Sequence, residues 1–393
     1  MTIKAFRLLP LAALCAFSTQ AQTEQSAELR IEQLESQVAL LSEQQASSLS
    51  DRFTFNGFGS VAMQVSDNDA GFAGATNQAE FDNGSLVALQ GSFSVAEGTD
   101  VTVQLVARGE DDWDPEVEWA FISHRFDNGL TARGGKLRLP LFMLSDYLEV
   151  GYAHPWARVP EEVYGTVVVS SFTGIDVLYD IELDDSTVSL QGFGGNHTLP
   201  TSQSSFGVET KFRDIIGGVV SWTDETVTLR ASYTQADVTS NNNWSLNGVT
   251  LPMTTFDSDK ATFIGLGARY DMGHFFALTE LTRTEVEGFY SDVDAAYITL
   301  GYNVNSLTPY VSVARSETQD NEDRMVYQKG LLDIERTSYS AGLRWDVQSN
   351  VAIKTDVTYS TDFGDTRGGL VGAATDSTID DTIVYTVKLD VMF

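Results

Sequence analysis

Residues 382–393, TIVYTVKLDVMF, alternate between apolar and polar side chains over their whole length. The apolar positions are Ile383, Tyr385, Val387, Leu389, Val391 and Phe393, and the polar ones are Thr382, Thr386, Lys388 and Asp390. A period of two is that of a β-strand whose two faces meet different environments. A strand of roughly ten residues also suits a tilted crossing of a bilayer better than the usual five or six. The stretch therefore predicts a transmembrane strand.

The same alternation recurs from residue 53 onward, for example in FTFNGFGSVAMQV at 53–65. The predicted strands are 53–65, 85–94, 100–109, 116–125, 129–139, 172–181, 187–194, 215–222, 227–235, 261–271, 275–284, 294–303, 307–315, 337–346, 351–360 and 382–393. Short and long connections alternate between them, as an up-and-down barrel with two different rims requires. Residues 205–212 also have a strand pattern, but counting them would break this alternation, so we place them in a long connection.

The pattern predicts an all-β fold: a transmembrane antiparallel up-and-down β-barrel of about 16 strands, with 14 and 18 as alternatives. A barrel of this size leaves an aqueous lumen. The formal charge of -31, from 24 basic and 55 acidic residues, excludes nucleic acid as a partner, because a phosphate backbone requires a basic surface.

The first 51 residues differ from the rest. Lys4 and Arg7, then an apolar run at 8–17, predict a signal peptide over 1–21 with cleavage after Ala21. Residues 22–51 carry a heptad pattern at Ala27, Ile31, Leu34, Val38 and Leu41. This segment is predicted to form a short periplasmic coiled coil between subunits, or a single helix lying on the body. Residues 52–393 form the predicted barrel domain, located in the bacterial outer membrane.

Four features resemble the Gram-negative outer-membrane porins: the signal sequence, the strand pattern, a long third loop and a final strand ending in Phe393. Residues 134–165 also resemble a segment of porin-like proteins, some of which carry a periplasmic coiled coil. The resemblance implies a homotrimer with one pore per subunit, narrowed by the third loop folded inward. It implies outer-membrane lipid and small hydrophilic solutes as partners. The acidic outer loops predict contact with lipopolysaccharide phosphates through divalent cations, and no cofactor or specific metal site is predicted.

Residues 134–156, GGKLRLPLFMLSDYLEVGYAHPW, are predicted to contain the selective site. We expect Lys136 and Arg138 to point into the lumen and Leu137 and Leu139 outward, because a cation facing lipid near the midplane costs about 2–4 kcal/mol. Further inward cations are predicted at Arg108, Arg230, Arg269, Arg344, Lys354 and Lys388. The loop at 140–171 supplies acids at Asp146, Glu149, Glu161 and Glu162.

Cations opposite carboxylates would create a transverse field at a constriction, and rings of charge are how such pores select. Two alternatives remain: the cations only pair with the acids to fix the loop, or the loop lies outside the barrel. The sequence thus predicts a porin for passive diffusion of small hydrophilic solutes and ions. The alternatives are an anion channel of the phosphate or dicarboxylate type and, less favoured, a surface receptor or adhesin.

An enzyme is not expected. The chain has four histidines, at positions 124, 154, 197 and 274, and none has the pattern of partners that a hydrolase site needs. The sequence contains no G-x-S-x-G motif and no phosphate-binding glycine-lysine motif.

Overall fold

A computed structural model describes residues 52–200, 209–246, 249–288, 291–319, 333–370 and 379–393. The predicted signal peptide (1–21) and coiled coil (22–51) lie outside the described residues. Residues 55–393 form one compact unit, and of the other unit, residues 1–54, only 52–54 are described. No described helix has the length and apolarity that crossing a membrane requires.

Sixteen strands form the body. They are β1 (Phe53–Ser66), β2 (Leu86–Ala96), β3 (Thr99–Arg108), β4 (Pro115–Arg125), β5 (Thr131–Arg138), β6 (Ser171–Glu182), β7 (Thr187–Leu199), β8 (Thr210–Thr223), β9 (Val227–Leu246), β10 (Val249–Asp271), β11 (Phe275–Val286), β12 (Asp292–Tyr302), β13 (Leu307–Gln319), β14 (Glu335–Gln348), β15 (Val351–Thr361) and β16 (Thr382–Met392). The one described α-helix, α1 (Glu161–Tyr164), lies between β5 and β6.

The sheet closes into a barrel because β1 pairs antiparallel with β16. In this pairing Ser60 lies opposite Asp390, and Phe58 lies opposite Met392. Each of the other strands pairs with its neighbours in the chain, so the topology is up-and-down. A closed sheet has no free edge, which is the condition for β-structure in a bilayer. The predicted fold class is confirmed.

The strand prediction is correct in number and order, and most boundaries agree within two residues. The largest difference is at β9 and β10, which extend to 20 and 23 residues. The predicted long connection at 236–260 is therefore mostly a hairpin that continues the two strands. Of residues 205–212, which were placed in a connection, 210–212 begin β8, and 205–208 lie outside the described residues.

The outward face of the barrel is apolar and exposed. Ile175, Leu281 and Val311 are exposed by 66%, 54% and 55%. An extended surface of exposed apolar side chains marks a region that binds lipid or protein. Large aromatic residues point outward near the short turns, as in the girdles of transmembrane barrels: Tyr270, Phe275, Tyr302, Trp345 and Phe393. The outer surface is therefore suited to a bilayer.

The long connection between β5 and β6, residues 139–170, lies inside the barrel. Its Leu141, Phe142 and Trp156 are buried in one apolar cluster with inward residues of the wall, among them Phe193 and Tyr297. The connection is held inside by this apolar packing as well as by polar contacts. It defines the narrow part of the lumen and is called the inner loop below.

Candidate functional site

The inner loop enters the lumen against β9 and β10. The carbonyl oxygen of Pro140 accepts a hydrogen bond of 2.8 Å from Arg230, and that of Leu141 accepts one of 2.6 Å from Ser232. Gly267 on β10 leaves room for Met143, since a Cβ there would lie 3.1 Å from the Met143 sulfur. Arg230 therefore points inward, as predicted, and fixes the start of the loop.

The middle of the inner loop binds to β11 and β12. Glu280 is buried and accepts hydrogen bonds from the backbone N–H of Met143 at 2.7 Å and from the Tyr164 hydroxyl at 2.9 Å. The Trp156 indole N–H donates to Thr299 at 2.9 Å. Buried polar groups need such partners, so these contacts define one position for the loop.

A ladder of three cations on β14, β15 and β16 faces the loop. Arg344, Lys354 and Lys388 lie side by side in the register. Lys354 is fully buried; it donates to the carbonyl oxygen of Gly151 at 2.5 Å and pairs with Asp390 at 2.8 Å. Any side chain at Gly151 would overlap the Asp390 carboxylate. Lys354 thus lies inward as predicted, but it binds a backbone carbonyl of the loop.

Arg344, also inward as predicted, binds the loop in the same way. Its Nη1 donates to the carbonyl oxygens of Tyr152 at 2.7 Å and His154 at 3.1 Å. Its guanidinium lies 4.6 Å from the centre of the Tyr152 ring, and Asp346 pairs with it at 2.8 Å. Cations of the wall therefore bind the carbonyl oxygens of the loop at residues 151, 152 and 154.

The predicted residues Arg108, Arg138 and Glu149 come together where β3, β4 and β5 meet the loop. Arg108 forms ion pairs with Glu118, at 2.6 Å, and with Glu149. Arg138 pairs with Glu118 at 2.5 Å, donates to the Ser145 carbonyl oxygen at 2.8 Å and is buried. These groups join the loop to the wall.

The helix α1 brings Glu161 and Glu162 to β14. Glu162 is buried; it pairs with Arg336 at 2.8 Å and accepts a hydrogen bond from Ser338 at 2.5 Å. Glu161 begins the helix, and its charge interacts with Arg336 and Arg158. Glu162 is thus an anchor of the loop.

The remaining predicted acid, Asp146, is exposed on the inner loop. Its charge interacts with Arg133 on β5 and Arg230 on β9. Arg133 is paired with the buried Asp176 through a hydrogen bond of 2.9 Å and is partly exposed. Arg269 of β10, 48% exposed, also points inward. Asp146 and these arginines are the candidate constriction, a carboxylate on the loop opposite cations on the wall.

The prediction that Lys136 lines the lumen is wrong. Lys136 pairs in register with Ala120 and Thr173, on the outward face, and its Nζ donates to the Val117 carbonyl oxygen at 2.5 Å. Leu137, predicted to face outward, is 1% exposed and belongs to the inner apolar cluster. The reason is that the inner loop packs against the lumen face of β5. Side chains on that face are therefore buried, as in a protein core, and apolar residues are favoured there.

Two residues of the site were missed. Arg133 was missed because the faces of β5 were assigned in the wrong phase: residues 131, 133, 135 and 137 face inward. Arg138, the last residue of β5, also binds the inner loop. Arg336 was missed because the predicted strand began at 337, whereas β14 begins at Glu335. Placing the alternation of β5 in the other phase would have identified Arg133.

His154 lies in the inner loop and is buried. Burial, together with the nearby cations Lys354 and Lys388, lowers the pKa of His154 well below its usual value. Its ring packs against Trp156, and its Nε2 lies 3.2 Å from the Leu148 carbonyl oxygen. A neutral histidine fixed in this way packs the loop.

Comparison with solved structures identifies the architecture, whereas no family model and no curated protein matches the sequence. OmpT, an outer membrane protein of Vibrio cholerae, matches in a loop-deletion form at 12% identity with a TM-score of 0.59, covering 87% of this chain and 99% of that one. Its trimer form matches with a TM-score of 0.53.

Two further solved structures match with similar scores. An anion-selective porin from Comamonas acidovorans is 12% identical with a TM-score of 0.55, covering 87% of this chain and 99% of that one. OmpF of Salmonella typhi, solved with daunomycin, is 13% identical with a TM-score of 0.56, covering 87% and 97%. The chain therefore has the fold of the outer-membrane porin-type barrels. This fold alone does not determine whether a protein is an enzyme.

Proposed function

We propose that this protein is an outer-membrane porin through which small hydrophilic solutes and ions diffuse passively. The observation that carries the proposal is the exposed Asp146, placed opposite inward arginines inside a closed barrel with an apolar exterior. A solvated charge at this depth needs water in the lumen, because an isolated ion in a dry interior is strongly destabilised. The route for solutes passes beside the inner loop at Asp146.

Liposome swelling tests this function. Proteoliposomes containing the purified protein are expected to swell in isotonic arabinose and more slowly in a trisaccharide, because a constricted aqueous pore discriminates by size. Liposomes with heat-unfolded protein are the control. If arabinose gives no more swelling than the control, the diffusion function is contradicted.

A second candidate function is an anion channel of the phosphate or dicarboxylate type. It is supported by three inward arginines, Arg133, Arg230 and Arg269, near the exposed Asp146. Two of these arginines are each paired with a carboxylate of the wall, Arg133 with Asp176 and Arg269 with Asp271. The reversal potential in a KCl gradient separates the two functions: strong anion preference favours the second, and weak selectivity favours the general pore.

The many anchors of the inner loop favour a third, less supported candidate, a barrel that serves as a surface receptor or adhesin. The loop is bonded to wall residues of β3, β5, β9, β11, β12, β14 and β15, which is the arrangement expected of a plugged lumen. The swelling assay decides between this candidate and a pore, since a plugged barrel admits no sugar. We propose no enzymatic activity, because none of the four histidines has the sequence pattern of a hydrolase site, and His154 is buried and fixed in the inner loop.

We further propose that 1–21 is cleaved on export, that 22–51 forms a periplasmic coiled coil, and that the chain is a homotrimer in contact with lipid and lipopolysaccharide. The trimer form of the Vibrio cholerae protein supports the assembly by analogy of fold. The outward Lys136 supports it as well, because a cation on this face is more stable against a neighbouring subunit than against lipid. Native mass spectrometry of the purified protein tests the assembly.

A further inference from the structure

An apolar cavity lies inside the barrel on the side of the long connections, away from the candidate constriction. Its volume is about 140 Å³, and it lies between the inner loop and strands β8 to β11. The side chains that dominate its lining are Leu141, Val169, Phe212, Ile215, Val238 and Phe263. No charged side chain lines the cavity among the described residues.

The physical character of this cavity is unusual for a porin lumen, which is polar. A cavity of about 150 Å³ lined by Leu, Ile and Phe stays dry and binds benzene in a different, engineered protein. The present cavity has a similar volume and is also lined mainly by apolar side chains, although it is partly open and threonines contribute to its lining. A single six-membered ring matches its volume. The apolar part of the lining offers a water molecule none of the two to four polar partners that it needs.

Two polar atoms distinguish this cavity from a purely apolar one. Thr234 and Thr284 line it on either side of Phe263, which lies opposite both in the register. The Oγ1 atoms of both threonines are buried and have no hydrogen-bond partner among the described residues. Buried hydroxyl groups without a partner are destabilising, so a ligand that hydrogen-bonds to them gains affinity.

We propose that this cavity is a binding site for a small neutral molecule that combines one ring, or an aliphatic group of similar size, with one hydroxyl or amide group. The apolar part contacts Leu141, Ile215 and Phe263, and the polar group hydrogen-bonds to Thr234 or Thr284. This proposal rests on the proposed function only where it names this class of molecule as a solute of the channel. Binding itself requires no conduction, so a binding assay and the swelling assay fail independently.

The test is equilibrium dialysis of the detergent-solubilised protein against radiolabelled benzyl alcohol, with detergent alone as the blank. Saturable binding of one molecule per chain is expected. Ala236→Phe fills the cavity, because Ala236 lines it, and is expected to abolish the saturable part. The matched control is Ala296→Phe, since Ala296 faces outward opposite the exposed Leu281 and Arg315, and it is expected to bind as the wild type does.

The hydroxyl groups are tested by the double variant T234V/T284V, which keeps the shape of both side chains. Its affinity for benzyl alcohol is expected to fall by about fivefold, the factor that one ordinary hydrogen bond contributes, while its affinity for toluene stays unchanged. The proposal is overturned if uptake by the wild type is only linear in ligand concentration. It is equally overturned if A236F binds like A296F, or if the double variant loses toluene and benzyl alcohol to the same extent.

Discussion

Replacing Lys354 by Met is expected to destabilise the folded barrel strongly, because the substitution leaves a buried carboxylate without its partner. Lys354 is 0% exposed and Asp390 is 1% exposed, and the two form an ion pair of 2.8 Å. Met keeps the length of the side chain but leaves the Asp390 carboxylate buried, with Lys388 at 3.8 Å and the Ser60 hydroxyl at 2.6 Å. Breaking a buried ion pair by removing one partner costs about 3–5 kcal/mol. The carbonyl oxygen of Gly151 would also lose its donor.

The free energy of unfolding in detergent, followed by circular dichroism, measures this loss. The matched control is Lys211→Met, because Lys211 forms an exposed ion pair with Glu209 at 2.8 Å, and exposed pairs contribute about 1 kcal/mol or less. The double variant K354M/D390N is expected to recover part of the loss, since it removes both buried charges. Equal stability of K354M and K211M would show that the Lys354–Asp390 pair does not stabilise the closed barrel.

Replacing Glu162 by Ala is expected to release the end of the inner loop and to raise the single-channel conductance. Glu162 and Arg336 are both buried and paired at 2.8 Å, and Ser338 donates to the same carboxylate. The loss of Glu162 leaves Arg336 with the Gly368 carbonyl oxygen as a partner, at a cost of about 3–5 kcal/mol. This cost destabilises the contact of α1 with β14 more than it destabilises the barrel. The reason is that the backbone hydrogen bonds between the strands do not involve the Glu162 carboxylate.

Planar-bilayer recordings measure the effect, with Glu317→Ala as the matched control. Glu317 forms an exposed ion pair of 3.0 Å with Arg315, so E317A is expected to conduct like the wild type. E162A is expected to show a higher and more variable conductance than E317A. If E162A unfolds more easily but conducts like E317A, then Glu162 stabilises the barrel without restricting the lumen.

The barrel was predictable from sequence because each strand repeats the same physical rule. The alternation at 382–393 places Val387 and Leu389 outward and Lys388 and Asp390 inward, and the structure has this arrangement. The alternation of connection lengths then determined the number of strands. The hairpin of β9 and β10 was underestimated most, and β7, β8 and β13 were each predicted four or five residues too short at the end next to a long connection.

The candidate site was predictable only in part, because the inner loop changes the environment of the inward positions against which it packs. Where the wall is open to the lumen, as at the 48% exposed Arg269, the inward residue is polar. Where the loop packs against the wall, as at Leu137, the inward residue is apolar and the alternation inverts. A single strand does not reveal which case applies. The binding of loop carbonyls by Arg344 and Lys354 leaves no signal in the sequence either, since a carbonyl is present at every residue.

The most direct test of a water-filled path beside the inner loop is chemical modification at Asp146 during a bilayer recording. The sequence has one cysteine, Cys15, within the predicted signal peptide, so the mature D146C variant would carry a single reactive thiol. Addition of a charged methanethiosulfonate reagent is expected to reduce the single-channel current of D146C, while the wild type is unaffected. A variant that conducts, is labelled fully by mass and keeps its original current would contradict the account, as would a folded protein that conducts no ions.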